Sequence, residues 1–319
     1  MSRASEGFDE SFATMKNVPF PYQLILPASL GVLLASLLFG SFIEDNQLVI
    51  GVVMILLLGI PHGSTDYKIY QVTRNDQELG MLSFIFVYLL IMAVYGLFWW
   101  AFPAFSLIIF LLISLYHFGE SNWHRSKLSA VEKFIIYMIY GLFFLASPIL
   151  LNWRESRTII MQILDVEAGF NPPEIVFHLP NLLYVQTVVV IIYLYLKNKV
   201  DRKVAILELI SVTLLFILYY QLPLLPAFAI YFVFWHSIVS MKDQKEAIAL
   251  VESGYSWKNY LRDALPFSFA AISSLVLLAF FVPDFATRYV SLLFILISML
   301  TMPHMILIEN LIQKVPLRK

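Results

Sequence analysis

Apolar residues occur along this chain in long blocks separated by short polar stretches. A spanning helix needs about 20 mostly apolar residues to cross a hydrocarbon core about 30 Å thick. Ten stretches qualify or nearly do: Tyr22 to Ile43, Leu48 to Tyr67, Met81 to Phe102, Pro103 to Ser121, Phe134 to Trp153, Pro180 to Leu196, Val204 to Tyr220, Leu222 to Met241, Leu265 to Val282, and Arg288 to Ile308. The pattern predicts an all-α, polytopic integral membrane protein of about ten transmembrane helices. The sixth is short, and the breaks at Phe102/Pro103 and Gln221/Leu222 require two very tight turns.

Two longer connections carry apolar residues at helical spacing among charges, Arg154 to Leu179 and Asp243 to Ala264. Either is able to lie flat at the membrane interface; ordinary amphipathic connectors are the expectation.

Charge placement orients the helices, because lysine and arginine accumulate in cytoplasmic loops. With ten helices, 18 of the 21 basic residues fall on one side, among them Arg3, Lys68, Arg125, Lys199, Lys242 and Lys314, against Arg154, Arg157 and Arg288 on the other. Both termini are therefore predicted to be cytoplasmic. Trp99, Trp100, Trp153, Tyr219 and Tyr220 then fall at the outer boundary as an aromatic belt.

Composition agrees with a bilayer environment: 60% of residues are hydrophobic and 13% charged, with a mean hydropathy of +0.79, whereas soluble domains are about a quarter charged. The absence of cysteine excludes disulfides, thiolate ligands and a thiol nucleophile. Nothing in the sequence points to nucleic acid. Residues 1–19 read as a disordered cytoplasmic tail without the apolar core of a signal peptide. Residues 20–319, free of any long repeat, read as a single transmembrane catalytic domain.

Four of the six histidines, His62, His117, His236 and His304, each close a long apolar run a few positions before the first charge that follows, Asp66, Glu120, Lys242 and Glu309. They end predicted helices two, four, eight and ten, all of which run toward the cytoplasm. Four imidazoles at one depth can share a metal. Pro61 and Pro303 precede their histidines and bend or end the helix, and Gly63 and Gly119 follow theirs and permit close backbone approach.

Imidazole suits zinc, copper, nickel and iron. A structural zinc needs only a closed shell, whereas iron(II) held by four histidines keeps two positions open for dioxygen and a substrate. Burial in a membrane favours redox chemistry on a lipid-soluble molecule. A ligating imidazole usually donates its other N–H to a carboxylate or carbonyl, and Asp66, Glu120 and Glu208 are the candidates at suitable depth; Glu309 reads as a solvated interfacial charge. His124, seven residues after His117 and four after Glu120, would join the site if that helix continues, but a solvated loop residue is the expectation; His178 falls on the opposite side.

On Pro61-His62-Gly63-Ser64-Thr65-Asp66, His117-Phe118-Gly119-Glu120, Trp235-His236-Ser237 and Pro303-His304, the chain resembles the Brp/Blh family of bacterial membrane-embedded beta-carotene 15,15'-dioxygenases, over most of its length. There is one departure: many relatives carry a second histidine four residues after the Trp-His-Ser histidine, where this chain has Ser240. The resemblance implies a non-haem iron dioxygenase of the bacterial inner membrane. It would cleave the central double bond of beta-carotene with O2 into two all-trans-retinal, with Fe(2+) on His62, His117, His236 and His304 and possible transfer of retinal to a microbial rhodopsin.

Other functions suit the same residues less well. A diiron hydroxylase or desaturase would carry HxxxH and HxxHH boxes, which are absent. A haem-binding electron carrier would use paired histidines as axial ligands. A non-enzymatic transporter or rhodopsin-associated protein would use histidines along a transport path, and here all four lie toward one side.

Overall fold

The computed structural model describes residues 18–73, 80–124, 126, 128–167, 171–281 and 285–314. The tail expected over residues 1–19 lies, apart from Val18 and Pro19, outside them. Among the described residues the chain is helical, without strands, and ten helices are long and apolar enough to cross a membrane, as the hydrophobic blocks predict.

The helices are α1 (Tyr22–Asp45), α2 (Gln47–Met54), α3 (Asp66–Thr73), α4 (Met81–Ala101), α5 (Pro103–Trp123), α6 (Ala130–Leu151), α7 (Trp153–Leu164), α8 (Leu179–Leu196), α9 (Arg202–Gln221), α10 (Leu224–Ile230), α11 (Ile238–Val251), α12 (Trp257–Phe281) and α13 (Phe285–Lys314). Two spans are composite. The second runs from α2 through a π turn, Ile55–Gly59, and a 3-10 turn, Ile60–His62, into α3. The eighth runs from α10 through a π turn, Tyr231–Ser237, into α11. The tight turns are real: Phe102 alone separates α4 from α5, and Leu222 and Pro223 separate α9 from α10.

The outside of the bundle is greasy. Leu37 is 66% exposed, Leu82 83%, Trp100 85% and Phe269 75%, an apolar coat that hydrocarbon tolerates and water does not. In lipid, burying one more apolar side chain gains little, and association depends on how closely backbones pack. α5 and α6 show this most clearly. A Cβ on Gly119 would stand 1.9 Å from the carbonyl oxygen of Tyr137, and one on Gly141 1.8 Å from that of Leu115. Each glycine accommodates the backbone facing it. Around this contact Tyr137, Tyr140, Phe143, Phe144, Leu215 and Tyr219 are fully buried.

Three expectations change. The connection from Asp243 to Ala264 shrinks to residues 252–256, because α11 continues to Val251 and α12 begins at Trp257. Ile248, Tyr255, Tyr260 and Ala264 are buried together there, and polar residues on the opposite faces had diluted the apolar signal. α7 is more than a connector: Ile159, Ile160 and Ile163 pack on Tyr95, Trp99, Leu107 and Phe110 inside the bundle. The aromatic belt also splits. Trp100 and Tyr220 point outward, but Trp99 is buried, and so is Tyr219, whose hydroxyl donates to the Phe144 carbonyl at 3.1 Å.

Candidate metal centre

Each of the four histidines is set by a different local device. His62 ends the 3-10 turn that follows the first π turn, and His236 lies within the second. A π turn holds one residue more than an α turn, which rotates every later side chain by about 100°. Both turns re-aim their histidines. His117 stands on regular α5, two residues before the glycine that meets the α6 backbone. His304 stands on α13 after Pro303, whose missing N–H leaves the Met299 carbonyl without its helical donor.

The result is one cluster. Ring centres lie 5.0 Å apart for His62 and His236, for His62 and His304, and for His117 and His236, and 6.1 Å apart for His117 and His304. All four are buried. Phe232 stacks on His236 at 5.5 Å and meets His62 edge-on, while Phe118 closes on His236 at 4.9 Å. Gly59 makes room for that aromatic collar, since a Cβ there would stand 2.5 Å from the Phe232 ring. A Cβ on Gly63 would meet nothing tight, its nearest contact being His304 Nδ1 at 3.7 Å, so the close approach expected there is absent.

The outer nitrogens are held by acceptors. His62 Nδ1 donates to the Gly59 carbonyl, and His304 Nδ1 donates to Asp66 Oδ1 at 2.7 Å. Because a carbonyl and a carboxylate only accept, both imidazoles keep the Nε2 lone pair free. His236 Nδ1 lies 3.4 Å from Ser121 Oγ. Nε2 of His117 and of His304 is buried without a hydrogen-bond partner, a state that costs about 1–3 kcal/mol for an imidazole. A cation is one partner that removes that cost.

Among the described residues no three histidine or carboxylate side chains already stand in ligating geometry. Three of the four ring separations nevertheless suit a common centre, and the 6.1 Å between His117 and His304 is wider: two imidazoles each about 2.1 Å from one metal, at a right or tetrahedral angle, have ring centres about 5 Å apart. Helix packing sets the spacing, and side-chain torsion sets the aim of each nitrogen. The donor set fits zinc, iron, copper or nickel.

All four histidines line one apolar cavity of about 200 Å³, walled by Phe110, Phe118, Phe228, Phe232 and Phe294 and by aliphatic residues of α5, α6, α7, α10 and α13. Its few hydroxyls are mostly occupied. Ser156 donates to the Ile149 carbonyl and Thr301 to that of Ile297; Ser114 Oγ is buried without a partner.

A family model described as beta-carotene 15,15'-dioxygenase matches residues 53–312, a stretch that contains the four histidines, eight of the ten spans and most of the second. The chain belongs to the beta-carotene 15,15'-dioxygenase family. The beta-carotene 15,15'-dioxygenase of uncultured marine bacterium 66A03 is 36% identical over 75 residues, which is 23% of this chain and 27% of that relative. The aligned stretch thus spans about a quarter of the relative's length. No solved structure matches the chain.

Within this family member the remaining candidates separate. Asp66 contacts the cluster through His304, not His62, and its Oδ2 accepts from Tyr88 at 2.9 Å. Glu208 belongs elsewhere: Tyr22 donates to its Oε2 at 2.7 Å and Asn122 to its Oε1 at 2.9 Å, so it ties α1 to α5 and α9 and is bonded to no histidine. It is a structural link. Glu309 is half-buried. His178, in the 3-10 turn before α8, is exposed and apart from the cluster.

His124 also departs from expectation. It caps α5 with its side chain only 9% exposed, and its Nε2 lies 3.3 Å from Asp243 Oδ2. Both line a small pocket of about 30 Å³ shared with Glu120, Ser121, Ser240 and Gln244, with Ile308 and Leu311, and with His117 and His236 themselves; its lining is rich in polar side chains, though most of its exposed surface is carbon. His117 and His236 therefore form the partition between an apolar chamber and a polar one. Sequence reasoning singled out His117, Glu120, His124, His236 and Ser240 but missed Asp243 and Gln244, because α11 continues past its apolar run to deliver them.

Proposed function

We propose that this chain cleaves the central double bond of beta-carotene with O2, giving two molecules of all-trans-retinal. One observation carries the reading: four buried imidazoles converge on the wall of a single apolar, phenylalanine-lined cavity in a member of this family. The bond breaks and each of its carbons takes one atom of O2, so the reaction balances without an outside reductant or proton.

His62, His117, His236 and His304 would hold iron(II), which supplies the redox centre for dioxygen chemistry. Asp66 keeps the His304 tautomer fixed and its ring oriented. The cavity has almost no free polar group, which suits a hydrocarbon and excludes water. Its five phenylalanines offer ring faces to the polyene. At about 200 Å³ it is smaller than the 300–1,000 Å³ range of about drug-sized ligand sites, so it takes the middle of the polyene and the ends extend beyond it. The protein resides in the bacterial inner membrane with both termini cytoplasmic, takes its substrate from the bilayer, and releases retinal for uptake by a rhodopsin.

Expression in a beta-carotene-producing bacterium tests this. Chromatography should show carotene loss and retinal with the wild type, and no retinal with His62→Ala, His117→Ala, His236→Ala or His304→Ala at equal membrane levels. Unchanged carotene with the wild type would overturn the assignment.

A further inference from the structure

A cation must reach the four histidines, and the apolar cavity offers it no route. Taking a bare divalent ion through a hydrocarbon-lined chamber without ligands costs many kcal/mol of lost hydration. The other face of the partition is different. Glu120, His124 and Asp243 line the polar pocket that also contacts His117 and His236, and at about 30 Å³ that pocket holds one or two water molecules. Glu120 is 7% exposed in total, and the side chains of His124 and Asp243 are 9% and 16% exposed. Nε2 of His117, one wall of the pocket, is buried without a partner.

The cleavage proposed above moves no net proton and consumes no external electron, so it gives this polar chamber no other task. Placing two carboxylates and an imidazole beside a buried cluster of neutral bases fits the transfer of a dication: carboxylates replace part of its hydration, and imidazoles replace the rest. Carboxylates focused in a narrow cleft also raise the local cation concentration.

We propose that this pocket is the entry path of the metal, with Glu120 and Asp243 drawing a divalent cation inward and His124 passing it to His117 and His236. The proposal rests on the four-histidine metal reading, and the test separates the two. Full-length protein in lipid nanodiscs, stripped with a chelator, is mixed with cobalt(II) chloride, and the visible absorption of imidazole-bound cobalt is followed in time.

The wild type should load to about one cobalt per chain. Glu120→Gln and Asp243→Asn should reach the same final spectrum about tenfold more slowly, Glu120→Asp should load near the wild-type rate, and Glu252→Gln, which removes an exposed carboxylate paired with Lys68 outside the pocket, should change nothing. Wild-type rates in Glu120→Gln and Asp243→Asn would overturn the entry path and leave the centre standing. No cobalt spectrum in the wild type, or an unchanged one in His62→Ala, would overturn the centre and the path with it.

Discussion

At the scale of single residues, the chain of hydrogen bonds from Tyr88 through Asp66 to His304 has the sharpest consequence. Asp66 accepts from both at 2.9 and 2.7 Å, and such a carboxylate orients a ligating ring and raises its basicity. Asp66→Ala should weaken metal binding about 10–100-fold in a chelator competition, and Tyr88→Phe should weaken it less. An unchanged affinity in Asp66→Ala would remove Asp66 from the centre. Sequence marked Asp66 because it lies one helical turn past His62. Its partner is 238 residues away instead, because turn residues 63–65 break the helix between them and the relation of one turn no longer holds. For Glu208 the depth was readable but the partners were not: Tyr22 and Asn122 come from helices whose adjacency no hydrophobic run encodes.

At the scale of elements, the α5/α6 contact and the two π turns determine where the histidines stand. Gly141 has no chemistry of its own, yet a methyl group there would press on the Leu115 carbonyl, two residues before His117. Gly141→Ala should lower stability by about 1–3 kcal/mol, read as a drop in the thermal unfolding midpoint in detergent. Gly31→Ala is the contrast, since nothing lies within 4 Å of the added group; it should leave the midpoint unchanged or slightly raised. Equal behaviour of the two variants would contradict the close contact. The hydrophobic runs predicted ten spans because run length is what a bilayer selects. They did not predict the π turns, since one residue inserted into a helix leaves a uniformly apolar run just as apolar. Nor did they reveal the inner ends of α11 and α12, whose buried face is only part of a mixed surface.

At the scale of the whole molecule, the account depends on the four histidines facing the same side, and the 18 to 3 distribution of basic residues predicts that this side faces the cytoplasm. A chain without cysteine allows this to be read directly. Asp45→Cys, exposed at the end of α1, should react with a membrane-impermeant maleimide on cells whose inner membrane alone faces the reagent; Glu252→Cys, in the α11–α12 connection, should react only after lysis. The reverse pattern would turn the protein over and put the polar pocket on the outside. The convergence of the histidines was itself legible, because each precedes the first charge after an apolar run and the count of spans gives all four the same direction. Their depth was less so: α13 continues ten residues past His304 and α11 to Val251, so His236 and His304 sit within their spans, while His62 ends a 3-10 turn.

The most direct test of the metal centre is the iron content of anaerobically purified protein, measured by mass spectrometry in the wild type and in His62→Ala, His117→Ala, His236→Ala and His304→Ala. The account predicts about one iron per chain in the wild type and a marked loss in each folded variant. A wild type without iron, or variants that retain it in full, would contradict the four-histidine centre.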